Sequence, residues 1–268
     1  MTAMPFSSDD AVPEPVERIP GDDVVAAFDF DGTLTRGGSV WKFLSAMRGR
    51  RVVALAAIPL TPKLVRAALF GGHAADEAKE ALFRRTLAGL DAGEVARRAG
   101  DFGLRHYRSR CRIKVRSRLD WHRRQGHRLV IVSASPECYV GVVGQELGVD
   151  AVIATKLAVD ERGRLTGRFD GHNCRGEQKL LRLRQWLEAS PAALDGEGAH
   201  AHDAHATTDP AAPDRPGAGG PPFIWAYGNS AGDRRLLEAA DIGIDAGKLG
   251  PMGKLRGFRR LGDVLTAW

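Results

Sequence analysis

The stretch Val24-Val25-Ala26-Ala27-Phe28-Asp29-Phe30-Asp31-Gly32-Thr33-Leu34-Thr35 limits most sharply what this chain can fold into. Its first five residues are small, β-branched or aromatic and all apolar. Such a run reads as a strand buried on both faces, the situation of a parallel sheet covered by helices on each side. The run ends in two aspartates one residue apart, followed by glycine. In an open α/β sheet ligands bind beyond the carboxyl ends of the strands, so these carboxylates fall where chemistry occurs. Side chains alternate along extended backbone, which sends Asp29 and Asp31 to the same face, close enough to share a cation or a phosphate. The plainer reading makes Asp31-Gly32 a turn and Asp29 its cap.

The 268 residues suit one α/β domain with a smaller inserted one, large enough to bury a core without staples. Cys111, Cys138 and Cys174 lack C-x-x-C spacing, which argues against a disulfide framework or a zinc site and suits a reducing cytoplasm. The net charge of +6 is concentrated locally, so the local pattern says more than the total. Residues 1–21 are polar, acidic and proline-rich without a secretory pattern, and read as a loose tail.

Between the first strand and about Arg124 the periodicity is helical. Val40, Trp41, Phe43, Leu44 and Met47 recur at helical spacing. The nine-residue run Val52 to Leu60 falls short of the roughly twenty apolar residues that span a bilayer. It reads as a buried helix, or else as a segment lying on a membrane surface. Pro62 suits the first turn of a helix Lys63 to Phe70, closed by Gly71-Gly72. A helix over Ala74 to Leu87 places Ala78, Ala81, Leu82 and Leu87 inward, with Asp76, Glu77, Lys79 and Glu80 outside. Asp91 is the expected cap of a helix Ala92 to Gly103. From Arg105 to Arg128 ten cations accompany only Asp120, over an apolar stripe of Leu104, Tyr107, Cys111, Val115 and Leu119. The pattern predicts one basic amphipathic helix ended by Gly126. Its arginine face is either simply solvated or a surface for polyanions, with peripheral contact to an anionic membrane expected through 105–124 and nucleic acid disfavoured.

Arg128 to Pro136 is a second apolar strand, finishing in the hydroxyls of Ser133 and Ser135 and leading into a helix Glu137 to Leu147. A strand-end hydroxyl beside the N–H groups of a following helix can cradle phosphate. A third strand covers Asp150 to Thr155, and Lys156 to Phe169 alternates about Glu161-Arg162-Gly163 as a hairpin. Lys179 falls in the first turn of the next helix, where the helix dipole disfavours a cation unless an anion is near. Arg175 is the rival cation, and either reads equally as a surface charge. Residues 190–222 are alanine, glycine, proline and aspartate with three histidines, a disordered insertion whose histidines read as low complexity rather than a metal site. A fourth strand, Phe223 to Tyr227, runs into Gly228-Asn229-Ser230-Ala231-Gly232-Asp233, and Gly250 to Trp268 closes the chain as a packed element.

Asp29-Phe30-Asp31-Gly32-Thr33-Leu34-Thr35 resembles the first motif, D-x-D-x-T, of the haloacid dehalogenase superfamily of phosphohydrolases. Ser133, Lys179 and Gly228 to Asp233 resemble its second, third and fourth motifs, in order, and Gly163-Arg164-Leu165-Thr166-Gly167 is similar to the hairpin of its phosphoserine phosphatase-like branch. Asn229 departs from the pattern, because it stands where the family carries an aspartate. It still offers a carbonyl oxygen to a hard cation but no charge.

The resemblance implies a doubly wound, mainly parallel α/β sheet with an inserted helical cap. The core would comprise residues 22–36 and 108–268, and the cap residues 37–107. It implies a phosphatase for a small phosphate ester, phosphoserine first, with Asp29 as nucleophile and Asp31 as general acid and base. Ser133 and Lys179 would hold the phosphoryl oxygens, and Mg2+ would be held by Asp29, Asp31, Asn229 and Asp233. Two alternatives stand beside it: a phosphatidylglycerophosphate-type lipid phosphatase at the membrane surface, and a catalytically idle phosphate- or membrane-binding module.

Overall fold

The computed structural model describes residues 23–70, 72–190, 221–247 and 257–261. The sequence's tail, its histidine-bearing insertion and most of its C-terminal element lie outside these residues. Nine helices and eight strands follow one another among the described residues. Strand β1 (Val24–Phe28) is followed by α1 (Val40–Arg48), α2 (Arg50–Ala57), a 3-10 turn (Ile58–Leu60) and α3 (Thr61–Phe70). Then come α4 (Gly72–Leu87), α5 (Ala92–Arg110) and α6 (Ile113–Arg124). The chain continues through β2 (Arg128–Pro136), α7 (Glu137–Leu147), β3 (Ala151–Thr155), β4 (Leu157–Val159), β5 (Leu165–Phe169) and α8 (Glu177–Ala189). It ends with β6 (Phe223–Gly228), α9 (Arg234–Ala239), β7 (Ile242–Asp245) and β8 (Arg259–Arg260).

Six strands form one parallel sheet in the order β3-β2-β1-β6-β7-β8. The strand expected to be buried on both faces is so. Ala26 and Phe28 enter the cluster shared with Leu119, Ile131 and Tyr227, while Val25 and Ala27 enter the opposite one with Leu183, Leu236 and Leu237. The chain builds outward from β1 through β2 to β3, then returns to β6 on the other side of β1. Such a reversal opens a crevice at the carboxyl ends of the two central strands, and the two-aspartate corner sits there.

The basic stretch differs from the expected single helix. It breaks at Cys111–Arg112, because the backbone there pairs with the corner after β1: Arg36 N donates to Arg110 O and Arg112 N to Leu34 O. Nor is its arginine face simply solvated. Arg118 is buried, donating through Nε to the Tyr227 hydroxyl at 2.8 Å, with its guanidinium over Trp121 and Trp225. Arg108 pairs with Glu146, and both Arg116 and Arg123 pair with Asp120. Asp91 caps α5 as expected, accepting from Glu94 N at 2.8 Å, but the helix runs past Gly103 to Arg110 and packs on α7.

Val40 of α1 and Ala75, Asp76 and Lys79 of α4 line one cleft with Asp29 and Asp31 just beyond β1, and the antiparallel β4–β5 hairpin packs on α4. Gly167 makes that approach possible. Its φ is +75°, and a Cβ there would lie 2.4 Å from Arg84 Cα. The run Val52 to Leu60 divides between two environments: Val53, Ala56 and Leu60 are in the core, whereas Val52, Leu55 and Ile58 are exposed. Among the described residues no helix is long and apolar enough to cross a membrane.

Candidate active site

Four segments bring the predicted residues to one cleft of about 240 Å³. The corner after β1 supplies Asp29 and Asp31, the end of β2 supplies Ser133, the start of α8 supplies Lys179, and the loop after β6 supplies Asp233. A register shift against β3 between Val132 and Pro136 aims the end of β2 into the cleft, a use of irregular pairing common beside active sites. Ser133 Oγ accepts from Ser135 N at 3.0 Å.

Lys179 is 2 % exposed, and its ammonium donates to Asp29 Oδ1 and to Asp233 Oδ1, each at 2.6 Å. Burial pushes Asp29 up, and Asp233 beside it adds to this, so that despite Lys179 it rises to about 7. Asp233 is held below its ordinary value, because Lys179 and the Ser230 and Asn229 donors outweigh its burial. Burial alone would lower Lys179, but the two carboxylates hold it above its ordinary value. One cation thus serves two buried carboxylates, with Asp31 close by. A site with this excess of negative charge accepts a further cation readily.

Asn229 is packed against the corner. Gly32 has φ +85°, and a Cβ on it would lie 2.2 Å from Asn229 Nδ2, so the glycine of the first motif is what lets Asn229 approach. The Asn229 amide atom 3.1 Å from Thr33 Oγ1 is also 3.2 Å from Asp29 Oδ2 and 2.9 Å from Asp31 O. With nitrogen at that place, the amide donates to all three. With oxygen there, Oδ1 joins Asp29 Oδ2 and Asp31 O, 3.2 and 2.9 Å away, as three oxygens of the kind a hard cation takes. This donor set fits Mg2+. It combines a carboxylate, a backbone carbonyl and an amide; among the described residues no group of three His, Cys, Asp or Glu forms a metal cage. Asp233 stands behind this set, its Oδ2 accepting from Asn229 N, Ser230 N and Ser230 Oγ at 3.1, 2.9 and 2.7 Å.

The Asp31 carboxylate points toward the helical side. Its Oδ2 accepts from Ser39 N at 3.0 Å and from the Ser39 and Ser135 hydroxyls at 2.7 Å each. Ser39 is in turn 2.7 Å from the Tyr139 hydroxyl. Asp31 Oδ1 is buried without a hydrogen-bond partner among the described residues.

The outward placing of Asp76, Glu77, Lys79 and Glu80 needs correction, since all four are half-buried. Lys79 is bonded to the β2 end and Asn173, Asp76 is bonded to Asn173, Glu80 accepts from Phe169 N of the hairpin, and Glu77 pairs with Arg66 of α3. Asp76 and Lys79, one turn apart on α4, line the cleft. Lys79 Nζ donates to Ala134 O at 2.5 Å and to Asn173 Oδ1 at 2.8 Å, and Asn173 Nδ2 donates to Asp76 Oδ1 at 2.5 Å. Crowding by protein lowers Lys79 to about 8, opposed by Asp76 and Asp31. Between the two cations weighed at the sequence level, Lys179 is the one bonded to Asp29, while Arg175 lines the cleft and donates to Gly72 O at 3.0 Å. Ser39, Asp76, Lys79 and Asn173 escaped the sequence reading, for they belong to no strand-end pattern.

A family model for haloacid dehalogenase-like hydrolases matches residues 26–238. The chain belongs to this family. Within it, the chain is 35 % identical over 162 residues to Protein CicA of Caulobacter vibrioides, covering 60 % of this chain and 72 % of the relative. Among solved structures, a Bordetella pertussis protein of unknown function aligns with TM-score 0.65 at 24 % identity, covering 89 % of this chain and 98 % of the other. A phospho-aspartyl intermediate analogue of phosphoserine phosphatase aligns with TM-score 0.56 at 17 % identity, covering 91 % and 98 %. These structural likenesses concern the fold, which is haloacid dehalogenase-like and similar to that of the phosphoserine phosphatase structure.

Proposed function

We propose that this chain is a magnesium-dependent phosphomonoester hydrolase that works through an aspartyl-phosphate on Asp29. The arrangement that carries this reading is the pinning of Asp29 by Lys179 on one oxygen while its other oxygen faces the Asn229 amide, which also reaches Asp31 O. A carboxylate held at one end by a buried cation has a fixed direction of attack.

In the first step an Asp29 oxygen forms a bond to phosphorus and the bond to the leaving alkoxide breaks. The alkoxide takes a proton from Asp31. Ser39 and Ser135 anchor Oδ2 of that carboxyl group, which leaves the unpartnered Oδ1 as the oxygen to carry the proton. Asp31 then accepts a proton from the water that attacks the aspartyl-phosphate, releasing inorganic phosphate and restoring Asp29. General acid and base work of this kind contributes about 10²- to 10⁴-fold. Ser133 and Lys179 hold phosphoryl oxygens through the sequence. Asp29, the Asp31 carbonyl and Asn229 would hold magnesium, which would supply charge that offsets the repulsion between phosphate and carboxylates.

The alcohol portion faces α4. Asp76 and Lys79 are opposite charges one helical turn apart, suited to an ammonium and a carboxylate on one small molecule. This supports phosphoserine, or another small charged phosphorylated alcohol, as the substrate in a cytoplasmic setting. The test is magnesium-dependent phosphate release from phosphoserine, histidinol phosphate, phosphatidylglycerophosphate and an aryl phosphate, with Asp29→Asn in parallel. The wild type is expected to turn over at least one, and Asp29→Asn to lose on the order of 10⁴-fold or more. Full activity in Asp29→Asn would overturn the reading.

A further inference from the structure

Large apolar side chains are exposed unevenly. Of the nine exposed large hydrophobics among the described residues, Trp41, Val52, Leu55, Ile58, Val65 and Leu69 all lie on α1, α2, the 3-10 turn and α3. Isolated exposed hydrophobics are ordinary, but a concentration of them marks an interaction surface. Leu55, Ile58 and Leu69 are 66, 64 and 73 % exposed. Val52, Leu55 and Ile58 are three apart along α2 and the turn that continues it, and Val65 and Leu69 are four apart on α3, so each set shares a helix face. The opposite side is already used, since Val53, Ala56 and Leu60 are in the core. These elements are apolar on two sides, with only one side packed.

The charge of the same segment is one-sided. From Gly32 to Ala75, 44 residues contain no aspartate or glutamate, although the whole chain has 33 acids in 268 residues, which would place about five there. The same stretch holds Arg36, Lys42, Arg48, Arg50, Arg51, Lys63 and Arg66. Arg48, Arg50, Arg51 and Lys63 are exposed around the apolar residues. Arg66 is exposed too and pairs with Glu77 of α4.

We propose that this α1–α3 face docks on an anionic lipid bilayer. Leucine, isoleucine and tryptophan side chains would enter the boundary between headgroups and acyl chains, while arginines and lysines meet anionic headgroups, the division of labour of interfacial helices. An acid-free surface carrying separate protruding aliphatics matches a fluid of uniform negative charge. It needs no shape-matched partner. The basic stretch of α5 and α6 fits this role less well, since several of its arginines are bonded within the fold. Only Gly71 separates α3 from α4, whose Ala75, Asp76 and Lys79 line the cleft. Docking would therefore hold the roof of the cleft beside the bilayer. The proposal stands independently of the phosphatase reading.

The test is co-sedimentation of the full chain with phosphatidylcholine vesicles and with vesicles of phosphatidylcholine and phosphatidylglycerol, with Trp41→Phe used to assign any blue shift of tryptophan emission to Trp41. Binding is expected with the anionic vesicles only, weakening as salt rises. The double variant Leu55→Glu/Leu69→Glu is expected to lose roughly two orders of magnitude in partitioning, while keeping its circular dichroism and its thermal unfolding midpoint within a few degrees. Arg50→Glu/Arg51→Glu is expected to weaken binding and flatten its salt dependence. A wild type that stays in the supernatant with both vesicles, or pelleting unchanged in Leu55→Glu/Leu69→Glu, overturns the proposal. A concentration-dependent dimer that Leu55→Glu/Leu69→Glu dissolves, without vesicle binding, overturns it also and assigns the face to a second copy of the chain.

Discussion

Each wall of the cleft presents a lysine, and the fold treats the two differently. Lys179, from the sheet side, bridges two buried carboxylates. Lys79, from the helical side, donates to a backbone carbonyl and an amide oxygen, and no carboxylate of the described residues forms an ion pair with it. A cation matched by two anions is a fixed part of the electrostatics and keeps its charge at any ordinary pH. A cation held by neutral dipoles still has charge to offer a ligand. On the proposed function, the sheet wall would serve phosphoryl chemistry, which every substrate shares, and the helical wall would meet whatever the phosphate is attached to.

The largest effect should come from breaking the sheet wall. Lys179→Met leaves Asp29 and Asp233 buried without their cation, a change expected to cost about 3–5 kcal/mol of stability in a denaturant titration. It should also abolish turnover of every phosphoester alike. Lys79→Met should behave otherwise, raising KM by about 10- to 100-fold for a phosphoester whose alcohol carries a carboxylate, with an aryl phosphate unaffected. An equal loss on both substrates would make Lys79 a structural tie between α4 and the β2 end and erase the contrast.

The same difference has a pH signature. Lys79 sits near 8 against an ordinary 10.5, so it carries its proton below about pH 8 and sheds it above. Asp76, Asp31, Cys174 and Arg175 are the charged or titratable groups that bear on it. KM for the carboxylate-bearing substrate should therefore climb as pH rises from 7 to 9 (roughly tenfold per unit once past the lysine's value). In Lys79→Met it should stay level, and the aryl phosphate controls for titration elsewhere. The smallest effect concerns Asn229. Asn229→Asp adds a charge beside Asp29 Oδ2 and Asp31 O and should lower the magnesium concentration for half-maximal activity by about 5- to 20-fold, with magnesium binding by calorimetry following the same order. Unchanged magnesium dependence would detach Asn229 from the metal.

What the sequence made legible were features carried by local pattern. A continuous apolar run ending in Asp29-Phe30-Asp31 reads as a buried strand with a polar end, and Lys179 in a first helical turn contradicts the helix dipole unless anions lie near. Features set by distant pairing were not legible. Nothing near Cys111 signals that its backbone is taken by the corner after β1, and no local rule sends Arg118 between Trp121, Trp225 and Tyr227. Lys79 and Asp76 look like ordinary solvent-facing charges beside Ala78, Ala81 and Leu82. Only the docking of α4 on the β2 end and the hairpin turns them inward. For that reason the residues of the sheet wall were readable from the chain alone and those of the helical wall were not.

The account turns on Asp29 as the group that takes the phosphoryl. Acid quenching during turnover of a ³²P-labelled phosphoester with magnesium, followed by peptide mapping, tests this most directly. The expected result is label on the peptide containing Asp29, absent in Asp29→Asn and chased to inorganic phosphate in the wild type. Sustained turnover with no label at Asp29, or label retained in Asp29→Asn, would contradict it.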